Sequence, residues 1–114
     1  NALVLDVKVG SGAFMKTLDS ARALADSLIE TGERLNVRTT AVLTDMNQPL
    51  GRLIGNAVEI DESVAALTGH GLADLMACTL ALGEELLVQT GIAHNAESAR
   101  QKLQATITSG SALE

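Results

Sequence analysis

The sequence has no tryptophan and no tyrosine, and Phe14 is its only aromatic residue. Any core must therefore be assembled from Leu, Ile, Val, Ala and Met. Basic residues are also few. Eight Lys and Arg stand against fourteen Asp and Glu, a net charge of −6, and the basic residues are scattered. A nucleic-acid surface would show clustered Lys and Arg, so no nucleic-acid partner is expected. Cys78 is the single cysteine and has no partner for an internal disulfide, which points to a reduced, cytoplasmic setting. No apolar run approaches the roughly 20 residues that span a bilayer, and no signal-peptide pattern is visible, so no membrane association is expected.

What is present is a patterned chain of 114 residues, long enough for one domain with a modest core. Core-like strand begins directly after Asn1, so the chain reads as a piece of a larger protein. Ala2 to Val7 is a continuous apolar run interrupted only by Asp6, as expected of a strand covered on both faces. It passes through Gly10-Ser11-Gly12 into a segment that Thr17 can cap. There Ala21, Leu24, Ala25, Leu28 and Ile29 repeat at helical spacing until Gly32. Val37 to Thr44 is β-branched and apolar, a second strand. Strand, helix and strand within about forty residues predict a βαβ unit with parallel strands and a right-handed crossover.

After Asp45 the character changes. Met46 to Gly55 holds the only proline and reads as a structured loop. Three helices are expected beyond it. The first is capped by Asn56, with Ile60, Val64 and Leu67 on its apolar side, and ends at His70-Gly71. The second runs from Leu72 to Gln89. The third is capped by Asn95, with a stripe of Ala99, Leu103 and Ile107 before Gly110. The fold class is α/β: a βαβ unit followed by a helical segment. Two strands do not make an independent α/β sheet, so these elements are expected to belong to a larger mixed sheet flanked by helices.

Several residues have more than one chemical reading. Gly10-Ser11-Gly12 lies at the carboxyl edge of the sheet, where α/β proteins bind ligands. Its amides could face an anion, or its glycines could serve only the bend. It matches neither the dinucleotide fingerprint nor the Walker spacing. Asp6 and Lys8 share a strand face, as an ion pair or as ligand-orienting groups. Glu59, Asp61 and Glu62 crowd a helix start, where acids favour the dipole; a cation site with carbonyls of the preceding loop is the other reading. His70 and His94 sit beside turn residues, suited to solvent exposure or capping. Cys78 has no basic neighbour in its own helical turn and reads as a buried, inert thiol. There is no Ser-His-Asp arrangement, no paired-thiol motif and no general base.

Longer segments carry a more specific signal. Asp6 to Met15 (DVKVGSGAFM) and Val37 to Glu62 (VRTTAVLTDMNQPLGRLIGNAVEIDE) closely resemble the thymidine and pyrimidine-nucleoside phosphorylases. The likeness continues through Leu80-Ala-Leu-Gly-Glu to Gly110-Ser-Ala-Leu and so covers essentially the whole chain. It implies a homodimeric pentosyltransferase that binds a pyrimidine nucleoside and inorganic phosphate between a helical and an α/β domain. The glycosidic bond is split into free base and pentose 1-phosphate, with no organic cofactor. Residues 1–114 would be a middle part of that α/β domain. The helical domain, the phosphate loop with its Lys-His-Ser run and the Ser-Ile-Met-Ser-Lys-Lys type segment would lie upstream.

No catalytic residue therefore carries over. Phe14, in Gly-Ala-Phe-Met, matches a position lining the pyrimidine pocket; its alternative reading is the one aromatic of a small core. Leu50 and Leu53, in Pro-Leu-Gly-Arg-Leu, match positions whose main-chain carbonyls ligate a structural potassium ion, although the family has a different small residue at 53. Glu62 matches the acidic ligand of that ion. The alternatives are a non-catalytic structural or binding fragment, or a related enzyme such as an anthranilate phosphoribosyltransferase or a nucleoside-monophosphate phosphorylase. Upstream residues decide between thymidine and uridine.

Overall fold

The computed structural model describes residues 1–114. In chain order the elements are β1 (Ala2–Val9), α1 (Leu18–Arg34), β2 (Arg38–Asp45), α2 (Asn56–Leu67), α3 (Ala73–Gln89) and α4 (Ala96–Ser109). β1 and β2 pair in parallel, in a register running from Ala2 opposite Arg38 to Val9 opposite Asp45. The βαβ unit expected from the sequence is present. β1 runs two residues past Val7, because Lys8 and Val9 continue the ladder.

Side-chain alternation along each strand divides the sheet into two faces. Leu5, Val7 and Val9 of β1, with Ala41 and Leu43 of β2, pack with Ala21 and Ala25 of α1. Small residues let the helix approach closely. Gly32 does the same at the end of α1, where a methyl group would lie 1.9 Å from Thr39 Oγ1. The opposite face carries Asp6, Lys8, Thr40 and Thr44 and meets α3. There Lys8 reaches Cys78, and the Gln89 amide donates to Thr40 Oγ1. Burial is sparse: ten of 114 residues are buried, and the apolar ones are mostly alanine. Close approach of small residues, rather than large interlocking side chains, holds the elements together.

Two of the expected helix caps hold. Thr17 Oγ1 accepts from Ser20 N–H at 3.2 Å while Thr17 N–H points to Ser20 Oγ, a reciprocal box; Asn95 and Ser98 repeat it at the start of α4. Asn56 does not cap α2. That place falls to Gly55, whose N–H donates to the Glu59 carboxylate at 3.0 Å, so the side chain one turn inside reaches back instead. α2 ends at Leu67, with Thr68 in the capping place and Gly69 turning the chain at φ +84°, ahead of the expected His70-Gly71 break. His70 N–H donates to Ala65 O and Gly69 N–H to Ala66 O, the paired bonds of a glycine-terminated helix. α3 begins at Ala73, with Leu72 in the capping place. α4 packs on α3, where Gly83 makes room for Leu103 and Arg100 pairs with Glu84 at 2.5 Å. No helix is long and apolar enough to cross a membrane.

Candidate functional site at the carboxyl edge of the sheet

The carboxyl ends of β1 and β2 feed two loops, residues 10–17 and 46–55, which lie against each other. The first folds back tightly: Gly10 N–H donates to Met15 O at 3.0 Å and Ala13 N–H to Gly10 O at 3.1 Å. The second supplies the remaining acceptors. Ser11 N–H donates to Asn47 Oδ1 at 3.0 Å, and Gly12 N–H to Met46 O at 2.8 Å. All four amides from Gly10 to Ala13 are thus engaged within the chain, and none is left to face an anion. The glycines serve the bend and the loop contact. Gly10 has φ +139°, and a methyl group there would lie 2.8 Å from Asn47 N.

This folding puts Ala13 inside and Phe14 outside. Ala13 is buried, whereas Phe14 is 97% exposed. The reading of Phe14 as the one aromatic of a small core is overturned: the short loop spends its inward position on alanine. The ring projects from the carboxyl edge of the sheet with nothing of this chain over it.

The second loop is held by Glu62, from the middle of α2. One carboxylate oxygen accepts from Arg52 N–H at 2.9 Å and the other from Leu53 N–H at 3.4 Å. Glu62 also fills the space above Gly51. The carboxylate is therefore on the same turn as the Leu50 and Leu53 main chains. Each carboxylate oxygen has two lone pairs, so two directions remain after these amide bonds. No group of three or more His, Cys, Asp or Glu side chains is placed to hold a metal. One carboxylate beside main-chain oxygens instead suits a weakly bound alkali cation, and magnesium poorly. Of the other acids at this helix start, Glu59 caps α2 through Gly55, and Asp61 is exposed.

An open cavity of about 460 Å³ lies between the loops, lined by Ser11, Gly12, Met46, Leu50, Leu53 and Ile54. Behind it, on the α3 side, Lys8 Nζ lies 2.8 Å from Asp6 Oδ2 and donates to Thr44 Oγ1 at 2.9 Å. The ion-pair reading of Asp6 and Lys8 holds, and the pair also ties the two strands together. Cys78 Sγ is 3.9 Å from the same ammonium. The cysteine is half-buried, with a basic neighbour from another element that helical spacing could not show. His70 and His94 are exposed beside helix ends, and His70 shares a surface cavity with Arg52, Leu53 and Glu62. Asn47, Thr44 and the Lys8–Cys78 contact were not singled out from the sequence. Only Asn47 left a signal, as an Asx residue two positions after Asp45, a common turn spacing.

A pyrimidine-nucleoside phosphorylase of Staphylococcus aureus (strain USA300) is 49% identical to this chain over 114 residues, which is all of this chain and 26% of that relative. The pyrimidine-nucleoside phosphorylase of Staphylococcus haemolyticus (strain JCSC1435) is 48% identical over the same span and share. The chain thus spans about a quarter of the length of these curated relatives. The family described as glycosyl transferase family, a/b domain, matches residues 1–113. A match of that extent, on a parallel βαβ unit with its loops gathered at the carboxyl edge, decides the question: the chain belongs to the glycosyl transferase family, a/b domain.

Proposed function

We propose that the protein carrying these residues is a pyrimidine-nucleoside phosphorylase, a homodimeric cytoplasmic enzyme of nucleoside salvage acting on thymidine and uridine. Residues 1–114 would be the middle of its α/β domain, within a larger mixed sheet. The observation that carries this reading is near-half identity along the entire chain with relatives of that name.

In such a reaction the base departs with the bonding electrons while phosphate attacks the anomeric carbon. Groups that neutralise charge on the pyrimidine oxygens lower that barrier. This chain commits Lys8 to Asp6 and Thr44 and Lys16 to Ser11 O, and its Arg52 lines a separate open cavity with Pro49 and Asp74. Its contribution is shape: Phe14 offers an aromatic wall to the base and keeps water from one of its sides. Leu50 and Leu53, through their carbonyls, and Glu62, through its carboxylate, would hold a potassium ion. When bound, that ion would balance the Glu62 charge and stiffen the loop.

The test is phosphorolysis of thymidine and uridine with inorganic phosphate, on the full-length protein and on residues 1–114 alone. The full-length protein is expected to release free base and the short chain none. No release by the full-length protein overturns the phosphorylase reading. Release by the short chain overturns the assignment of catalytic groups to other segments.

A further inference from the structure

Between the two carboxyl-edge loops one side chain makes contacts in both directions. Asn47 Oδ1 accepts Ser11 N–H at 3.0 Å, and its main-chain carbonyl accepts Ser11 Oγ–H at 3.3 Å. On its other side Asn47 N–H donates to Asp45 Oδ1 at 3.2 Å, and the Asn47 amide nitrogen donates to the same oxygen. Asp45 is the last residue of β2, so Asn47 is braced on the end of the sheet. Ser11 is further fixed from outside by Lys16, whose ammonium donates to Ser11 O at 2.7 Å. Gly10 and Gly12 leave no room for a side chain against residues 46 and 47, an independent sign that the two loops are in direct contact.

Three residues beyond Ser11 stands Phe14, and three beyond Asn47 begins the Leu50–Leu53 segment that Glu62 holds. We propose that Asn47 is a positioning residue that joins the glycine turn carrying Phe14 to the Leu50–Leu53 loop, so that the two move as one body. The role is not a generic turn function. An Asx turn needs only the local bond to Asp45, whereas the bonds to Ser11 cross 36 positions of sequence. An asparagine is suited to the place because one carboxamide accepts from Ser11 and donates to Asp45 at once. Alanine can do neither, and aspartate cannot donate. Fixing the turn holds the Phe14 ring at a set distance from whatever occupies the cavity, which bears on affinity for a flat apolar face rather than for an anion.

This inference rests on the base-facing role proposed for Phe14, and the experiment separates the two. In the full-length protein, amide hydrogen exchange is followed residue by residue in the unaltered form and in Asn47→Ala, alongside KM for nucleoside and for phosphate. Loss of the bracket should speed exchange at Ser11 and Gly12 about tenfold or more, with α1 and α3 unchanged. Nucleoside KM should rise about tenfold while phosphate KM moves less than about twofold. Exchanging the pair, Asp45→Asn with Asn47→Asp, keeps an acceptor for Ser11 and a donor–acceptor match between 45 and 47, and should bring nucleoside KM back to within about threefold. Should Asn47→Ala fail to fold, Ser11→Ala, which removes only the hydroxyl contact, should shift exchange at Gly12 and nucleoside KM in the same direction by about twofold to fivefold.

Unchanged exchange at Ser11 and Gly12 overturns the bracket. So does an equal rise in both KM values with faster exchange throughout, which marks general loosening. A full-length protein without phosphorolytic activity overturns the proposed function instead, and the exchange data still decide the coupling of the loops.

Discussion

On the side of the sheet that meets α1, Val7 lies among Ala21, Ala25, Leu5 and Leu43, and the buried Thr39 turns its hydroxyl to Val37 O. On the side that meets α3, Asp6, Lys8 and Thr44 bond one another across the two strands, and Lys8 extends to Cys78. The first contact is non-directional and depends on volume. The second is directional and depends on matched donors and acceptors. A sheet flanked on both sides thus has one face that tolerates little change in size and one that tolerates little change in hydrogen-bonding type. The polar face also leads to the loops of the candidate site, because Thr44 stands one residue before the end of β2.

Three substitutions test this contrast, in falling order of effect. Ala21 has no accessible surface, so Ala21→Leu forces apart α1 and the sheet and should cost about 3 kcal/mol, read from urea unfolding of the full-length protein. A loss below about 1 kcal/mol would mean that the α1 face is loosely filled after all. On the other face the Lys8 and Asp6 side chains keep 28% and 26% of their exposure, so water can replace part of what is lost. Lys8→Met should cost about 1 kcal/mol, and less at high salt. A cost as large as that of Ala21→Leu, unaffected by salt, would erase the distinction. Phe14→Ala should change stability by less than about 0.5 kcal/mol, since the ring is almost wholly exposed. A larger loss would place the ring against a surface contributed by other parts of the protein.

The sequence made the α1 face legible more readily than the α3 face, for a physical reason. Apolar spacing along β1 and α1 records which positions are inside, so the βαβ unit could be read directly, as could the caps at Thr17 and Asn95, whose partners are three residues away. The α3 face depends on contacts such as Lys8 to Cys78, separated by 70 positions, and no local period encodes these. The same holds for the glycine turn. Gly10-Ser11-Gly12 announced a bend, but whether its amides were free depended on Met46 and Asn47. At α2 a local rule misled: Asn56 is a good capping residue, yet Glu59 satisfies Gly55 from within the helix. Phe14 was ambiguous because hydrophobicity alone does not separate a core aromatic from one offered to a ligand. Its neighbour Ala13 is the one that turned inward.

The pairing of Ala2 with Arg38 through Val9 with Asp45 has a consequence for how the chain avoids error as it folds. Sliding β2 by one residue would turn every one of its side chains over. Thr40, Val42 and Thr44 would then press toward α1, and the snug seat beneath Gly32 would receive the wrong side chain. At the same stroke Lys8 would lose Thr44, stranding an ammonium and a carboxylate with half their partners. Because the two faces differ so sharply, a slipped pairing is penalised twice, once by volume and once by charge. A strand pair with two similar faces would have neither safeguard.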